Sequence, residues 1–380
     1  MKILADKNIL SVENTFAQFG DLILLDGREI TRKDLRDIDV LLVRSITRVN
    51  EELLAGSKVK FVGTATSGTD HIDLEYLENR KIFFADAKGS NANAVVDYCF
   101  SALAFAVINK GLNVETCEVG IVGAGKVGGL FSLKLDALGI RNRLCDPPLA
   151  QQQLLDYDQT NIRYHTLEET LQCDVISLHV PLNRTGSYST VNMIGASQLQ
   201  LLKHGALFIN ACRGEVVNEN ALSEFMKQRS DVSFVFDVWK GEPKVDRHIV
   251  EAVDIATPHI AGYSQEAKFS ATELLRQGFL THFNLTDTIT IYKTEQEMLP
   301  LDVKEESTEH AWNVLLNAFP LEEISQNFKH AVSEGVGERV FDQIRQQLLS
   351  RREFKAIILN SHELTEKQQK NLNVLGFNIS

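Results

Sequence analysis

The segment GIVGAGKVGG, residues 120–129, limits the folds open to this chain more than any other, because three spaced glycines join an apolar run to a helix start. The run EVGIVGA (118–124) has the continuous apolar character of a strand covered on both faces, and KVGGLFSLKLDALG (126–139) has helical spacing. A strand that turns into a helix over G-x-G-x-x-G opens a βαβ unit. Gly123 suits the tight turn, Gly125 lets backbone approach a pyrophosphate, and Gly128 permits close helix–strand packing; Lys126 and Val127 fill variable positions between them. The helix N-terminus then offers free N–H donors and partial positive charge to phosphates. Asp146 ends the next apolar run, 18 residues past the last glycine, near the roughly 20 at which an acid binds a ribose. Its carboxylate accepts from a 2′-hydroxyl and repels a 2′-phosphate, which favours NAD over NADP. The plain alternative is a glycine turn followed by a capping aspartate.

The fold class follows from the alternation around this segment. Runs at 118–124, 141–146, 174–181, 206–212, 232–239 and 253–259, separated by helical stretches such as 218–228, predict a doubly wound parallel α/β sheet of at least six strands, a Rossmann arrangement. Residues 1–98 alternate in the same way with shorter runs at 2–6, 39–45, 60–66 and 81–87, which implies a smaller parallel, flavodoxin-like α/β domain. Residues 91–112 read as a buried helix linking the two, and 263–284 as one helix returning to the first domain. The division is therefore 1–98 with 260–286 for the substrate domain, 99–259 for the nucleotide domain and 287–380 for a small C-terminal α/β module. Within that module, 285–308 reads as a linker or arm, helices fall near 309–319 and 336–351, and one strand covers 354–360. An apolar face left over there points to self-association, with an autonomous regulatory domain as the alternative.

Polar residues at the ends of the apolar runs carry the chemistry. Arg213 in ACRGE, Glu242 in DVWKGEP and His259 in TPHIAG each close a run after the glycine segment. A guanidinium fork matches a carboxylate, and an imidazole takes a hydroxyl proton near neutral pH. A neighbouring carboxylate favours the charged ring and holds its tautomer, and Glu242 is the candidate. The plain alternative for Arg213 is a surface pair with Glu215. Asp237 ends a strand on the same rim, where it can accept from a nicotinamide amide. Backbone near His179, Val180 and Cys212 lies where the nicotinamide side is expected, although an ordinary strand-end turn explains His179 equally well. In the first domain, Arg44 and Ser45 follow one strand, and Thr66, Ser67 and Gly68 follow another. They offer a cation, hydroxyls and N–H groups to an anion, with Arg44 as the phosphate ligand.

Composition removes several classes. A net charge of −12 opposes nucleic acid binding over most of the surface, so arginines for an anionic substrate must gather in one cleft. No apolar stretch is read as approaching the roughly 20 residues needed to span a bilayer, and MKILADKNIL lacks the apolar run of a signal peptide, so cytoplasm is the expected compartment. Five cysteines without a C-x-x-C pair read as buried thiols, and no metal site is expected.

Taken together, GAGKVG, Asp146, HVPL, INACRGEVV, DVWKGEP and TPHIAGYS resemble the D-isomer-specific 2-hydroxyacid dehydrogenases over residues 1 to about 285. LVRSITRVNEELLAG, KFVGTATSGTDHID, LCDPP and the C-terminal extension are similar to members that oxidise a small phosphorylated hydroxy acid. That resemblance implies an NAD enzyme with Arg213, Glu242 and His259 in the active site and His259 as acid/base. It implies NAD contacts at Asp146, Asp237 and Gly262, substrate contacts at Ser45, Thr66 and Tyr263, and a homodimer formed through the extension.

Overall fold

The computed structural model describes residues 1–156, 162–286, 299–301, 310–359 and 364–380. It divides into two compact units, Met1–Asn91 with Ser264–Gln296 and Ala92–Tyr263 with Glu297–Ser380.

The first unit holds a parallel sheet of β1 (Lys2–Asp6), β2 (Asp21–Leu25), β3 (Val40–Val43), β4 (Phe61–Thr64) and β5 (Phe83–Ala85), in the order β2-β1-β3-β4-β5. Its order reverses between β1 and β3, and ligand loops gather at the carboxyl ends beside such a reversal. DLILL forms β2, a strand that the sequence reading passed over because its side chains stay partly exposed at the sheet edge. The helix Gln265–Phe283 is capped by Ser264, whose side chain accepts from Ala267 N at 2.9 Å. Leu275 and Phe279 on this helix join Ile3, Phe16 and Phe61 in one buried cluster. A segment from far along the chain thus completes the first core.

The second unit is built on β6 (Glu118–Val122), β7 (Arg141–Cys145), β8 (Val175–Leu178), β9 (Leu207–Asn210), β10 (Ser233–Phe236) and β11 (Ile255–Ala256). All pair in parallel, in the order β11-β10-β9-β8-β6-β7, so the switch point falls between β6 and β8. β8, β9 and β10 are buried at every position, as runs covered on both faces should be. The helix Ala92–Lys110 is apolar all round and buried from Ala94 to Ala106. By length and composition it passes as a membrane span, which corrects the expectation that no stretch would; inside the fold it is the core helix of this unit.

The C-terminal residues add β12 (Leu299–Leu301), β13 (Ile357–Leu359) and β14 (Asn378–Ile379), again parallel, in the order β12-β13-β14. Part of the stretch expected as a linker is therefore a strand; its residues 287–298 and 302–308 lie outside the described residues. Helices Leu321–Ser333 and Glu366–Leu375 were not expected, and the strand read at 354–360 is shortened by a 3-10 turn at Phe354–Ala356. Phe319, Phe328 and Phe341 are fully buried. They continue the nucleotide-domain core through ring contacts of Tyr98 with Phe319 at 5.8 Å, Trp239 with Phe328 at 6.1 Å and Phe328 with Phe341 at 5.8 Å. Each such ring contributes roughly 1.5–3 kcal/mol by leaving water. Much of the module's apolar face is thus covered within the same chain.

Candidate active site

Gly123 has φ of +95°, and a Cβ there would lie 2.7 Å from the His179 carbonyl carbon, so only glycine fits the turn. A Cβ on Gly128 would meet Gly123 O at 1.9 Å, which presses the helix Lys126–Ala137 onto its strand. Gly125, by contrast, faces open space, with nothing within 4 Å of its missing Cβ. It is also the N-cap of that helix and supplies no side-chain acceptor, so the first-turn N–H groups remain available to a ligand. A close-packed turn with an open, donor-lined face fits a dinucleotide diphosphate. Asp146 accepts from Ala124 N at 2.8 Å and from Leu149 N at 3.1 Å, bracing the turn from the next strand.

The rim beyond β9 and β10 is organised by buried polar groups. Asn210, fully buried at the end of β9, donates to Arg213 O at 3.2 Å and accepts from Cys212 N at 3.2 Å, shaping the ACRG turn. Cys212 itself is buried, and burial pushes its thiol up to about 11. Arg213 is half-buried and donates to Cys212 O at 2.7 Å. Glu215, its expected surface partner, instead meets Arg184 at 3.5 Å. A Cβ on Gly214 would lie 2.0 Å from the Trp239 carbonyl carbon, so the arginine turn rests directly on the DVWKGEP loop. That loop is held again where Lys240 N donates to Glu219 at 2.9 Å.

Glu242 accepts from His259 Nδ1 through one carboxylate oxygen and from Trp239 N at 3.3 Å through the other. Burial alone would raise this carboxyl, but the His259 charge and hydrogen bond outweigh it, and Arg345 adds to their effect; the net result is a carboxyl below its ordinary value. His259 has φ of +55°, a left-handed conformation uncommon for a non-glycine residue, and its surroundings constrain it there. The constraint is Asp237. Its backbone carbonyl accepts His259 N at 2.7 Å. Its carboxylate accepts Thr257 Oγ1 at 2.6 Å, Ile260 N at 2.7 Å and Ala261 N at 2.8 Å. Burial pushes Asp237 up to about 6 against those donors and the His259 charge. Tyr98 and Trp239 close the network on Thr257, through its hydroxyl at 2.9 Å and its carbonyl at 2.9 Å. Asp237 is fully buried, and through these bonds it positions the histidine loop.

His179 bonds Ser177 Oγ at 2.9 Å and stands edge-on to Phe131 at 6.0 Å. Burial alone brings its imidazole down to about 4, which favours the neutral ring. Val180 and Gly262 are partly exposed on the same unit. Asn210, Thr257, Trp239 and Tyr98 were not singled out from sequence. A buried asparagine closing a strand was the one available signal.

In the first unit, Thr66 Oγ1 donates to Gly68 O at 3.0 Å and shares a 2.8 Å bond with Thr64, which in turn bonds His71 Nε2 at 2.8 Å. Ser67 accepts from Gly89 N at 3.3 Å. Ser45 is exposed at the end of β3. Arg44, expected as the phosphate ligand, lies bidentate on the fully buried Asp6 carboxylate at 2.8 and 3.4 Å. Its charge is therefore already matched, a pairing hidden from sequence because 38 residues separate the partners. No group of metal-ligating residues occurs among the described residues.

An arginine turn packed against a loop whose glutamate is bonded to an imidazole, on the sheet that also forms the dinucleotide turn, defines a hydroxy-acid dehydrogenase. The chain belongs to the D-isomer-specific 2-hydroxyacid dehydrogenase family: it is an oxidoreductase, and residues 106–261 match that family's NAD-binding domain. It is 37% identical to the erythronate-4-phosphate dehydrogenase of Marinomonas sp. (strain MWYL1), covering 94% of each chain. It is 38% identical to the enzyme of that name from Shewanella amazonensis, over 99% of each. The fold is shared with NAD+-bound 3-phosphoglycerate dehydrogenase of Entamoeba histolytica, at TM-score 0.62 and 24% identity over 77% of this chain and 99% of that one. D-Lactate dehydrogenase of Aquifex aeolicus gives TM-score 0.60 at 22% identity, over 75% and 96%.

Proposed function

We propose that this chain oxidises 4-phospho-D-erythronate at C2 to 3-hydroxy-2-oxo-4-phosphonooxybutanoate, a step of pyridoxal phosphate biosynthesis. The hydrogen-bonded His259–Glu242 pair carries the reading, supported by the near full-length likeness to erythronate-4-phosphate dehydrogenases. NAD, seated on the glycine turn, supplies the hydride acceptor. Arg213 grips the substrate carboxylate and orients C2. His259 Nε2 takes the C2-hydroxyl proton while Glu242, on Nδ1, fixes the tautomer and stabilises the imidazolium that forms. Asp237 and Thr257 keep the ring aimed by holding its backbone. Ser45, Thr66, Ser67, Gly68 and Tyr263 serve the rest of the substrate, and Asp146 binds the ribose. The C-terminal module forms the contact of a cytoplasmic homodimer.

The deciding experiment is a substrate panel with NAD and NADP, reading absorbance of the reduced cofactor. Preference for 4-phosphoerythronate with NAD supports the reading. Preference for 3-phosphoglycerate or a lactate-like acid would replace the substrate, and absence of turnover with every acid would leave an NAD-binding protein without this activity.

A further inference from the structure

Two arginines of the C-terminal module grip the residues that follow His259. Arg351 is 8% exposed, its guanidinium stands 4.1 Å from the Phe319 ring centre, and it donates to the carbonyls of Ala94 and Ala261 at 3.2 Å each and to that of Tyr263. The segment from His259 to Tyr263 is thus pinned from two sides, by Asp237 of the sheet and Arg351 of the module. Arg345, in the last turn of the helix Gly337–Gln347, lies over the Tyr263 ring at 4.8 Å and over Phe341 at 5.6 Å, and donates to the Tyr263 hydroxyl.

The Arg345 charge is poorly matched. Its ion pair with Asp342 is long, at 3.6 Å, and its Nε is buried with no hydrogen-bond partner among the described residues. A buried donor left without a partner is destabilising and calls for an explanation. Arginine stacked on an aromatic face is suited to a phosphate or carboxylate. The charge also acts on Glu242, so an anion at the His259–Glu242 pair lies within its field. Arg44, by comparison, is already chelated by Asp6.

Resting on the reading of a phosphorylated hydroxy-acid substrate, we infer that Arg345, with the Tyr263 hydroxyl, binds the substrate's distal phosphate, so that the C-terminal module sets substrate specificity within its own chain. Arg213 then takes the carboxylate end and Arg345 the phosphate end, with the reacting carbon between them.

The test compares the full-length wild type with Arg345→Met and Arg345→Lys on 4-phosphoerythronate and on unphosphorylated erythronate, with NADH binding followed by fluorescence. The wild type should prefer the phosphorylated acid. Arg345→Met should lower the ratio of kcat/KM values, phosphorylated over unphosphorylated, by about 30-fold or more, mainly through KM. Arg345→Lys should recover part of that ratio, and NADH affinity should stay within about threefold. Equal losses on both acids, or an unchanged ratio, would overturn the inference while leaving the substrate reading intact. A wild type without phosphate preference would overturn both.

Discussion

Replacing Glu242 by Gln is the most direct probe of how this site moves a proton. Two unit charges about 4 Å apart interact by roughly 4 kcal/mol at the effective dielectric of about 20 that suits partly buried pairs. The side chains of His259 and Glu242 are 31% and 28% exposed, so this figure is an upper bound on what the carboxylate contributes to the imidazolium. In the transition state the proton is only partly transferred, and about half of that bound, ~2 kcal/mol, is the electrostatic loss, about 30-fold in kcat. Geometry adds to it. The glutamine oxygen will keep the Trp239 N–H, now bonded at 3.3 Å, which turns its NH2 toward Nδ1. The ring must then carry its hydrogen on Nε2, the nitrogen needed to accept the substrate proton. Together these place the expected loss of kcat at about 10²–10³-fold. NADH formation from substrate gives the rate, and quenching or enhancement of NADH fluorescence gives cofactor affinity. A kcat reduced by less than threefold, or a parallel loss of NADH binding, would refute the proton-transfer argument.

His259→Asn keeps a residue type that tolerates the left-handed backbone at φ +55°, so it should fold normally and lose about 10²–10⁴-fold in kcat, with NADH binding nearly unchanged by fluorescence. The glycine turn separates folding from binding. Gly125→Ala, pointing into open space, should leave the thermal midpoint alone and weaken NADH at least tenfold, whereas Gly128→Ala, driven into Gly123 O, should lower the midpoint by several degrees in a thermal melt. His179 is held down to about 4 by burial, below its ordinary value of 6.5. Its neutral form is the one the fold accepts, so its contribution to stability is present above pH 6.5 and is lost as pH falls through 4. Denaturant melts between pH 7 and pH 4 should show a smaller acid-induced loss in His179→Gln; equal slopes would contradict a buried neutral ring.

Much of this protein was legible before any coordinates. The spacing of Gly123, Gly125 and Gly128 is a local demand on backbone conformation, and the order of apolar runs determines which strands lie on one sheet, so the nucleotide fold followed from the chain. Arg213, Glu242 and His259 were visible because each closes a strand, and parallel strands put their ends on one rim. Strand β2 and the helix Leu321–Ser333 were missed, the first because a half-exposed edge strand lacks the continuous apolar run used to find its neighbours. Pairings between distant residues were not legible at all. Arg44 carries the same charge in any sequence, but only the folded chain matches it to Asp6. In the same way, only packing brought Asp237 under the His259 loop and carried Arg345 and Arg351 from the far end of the chain onto Tyr263. Periodicity and glycine spacing act between near neighbours and so can be read along the chain; the matching of buried charges depends on which surfaces meet, and that is decided in three dimensions.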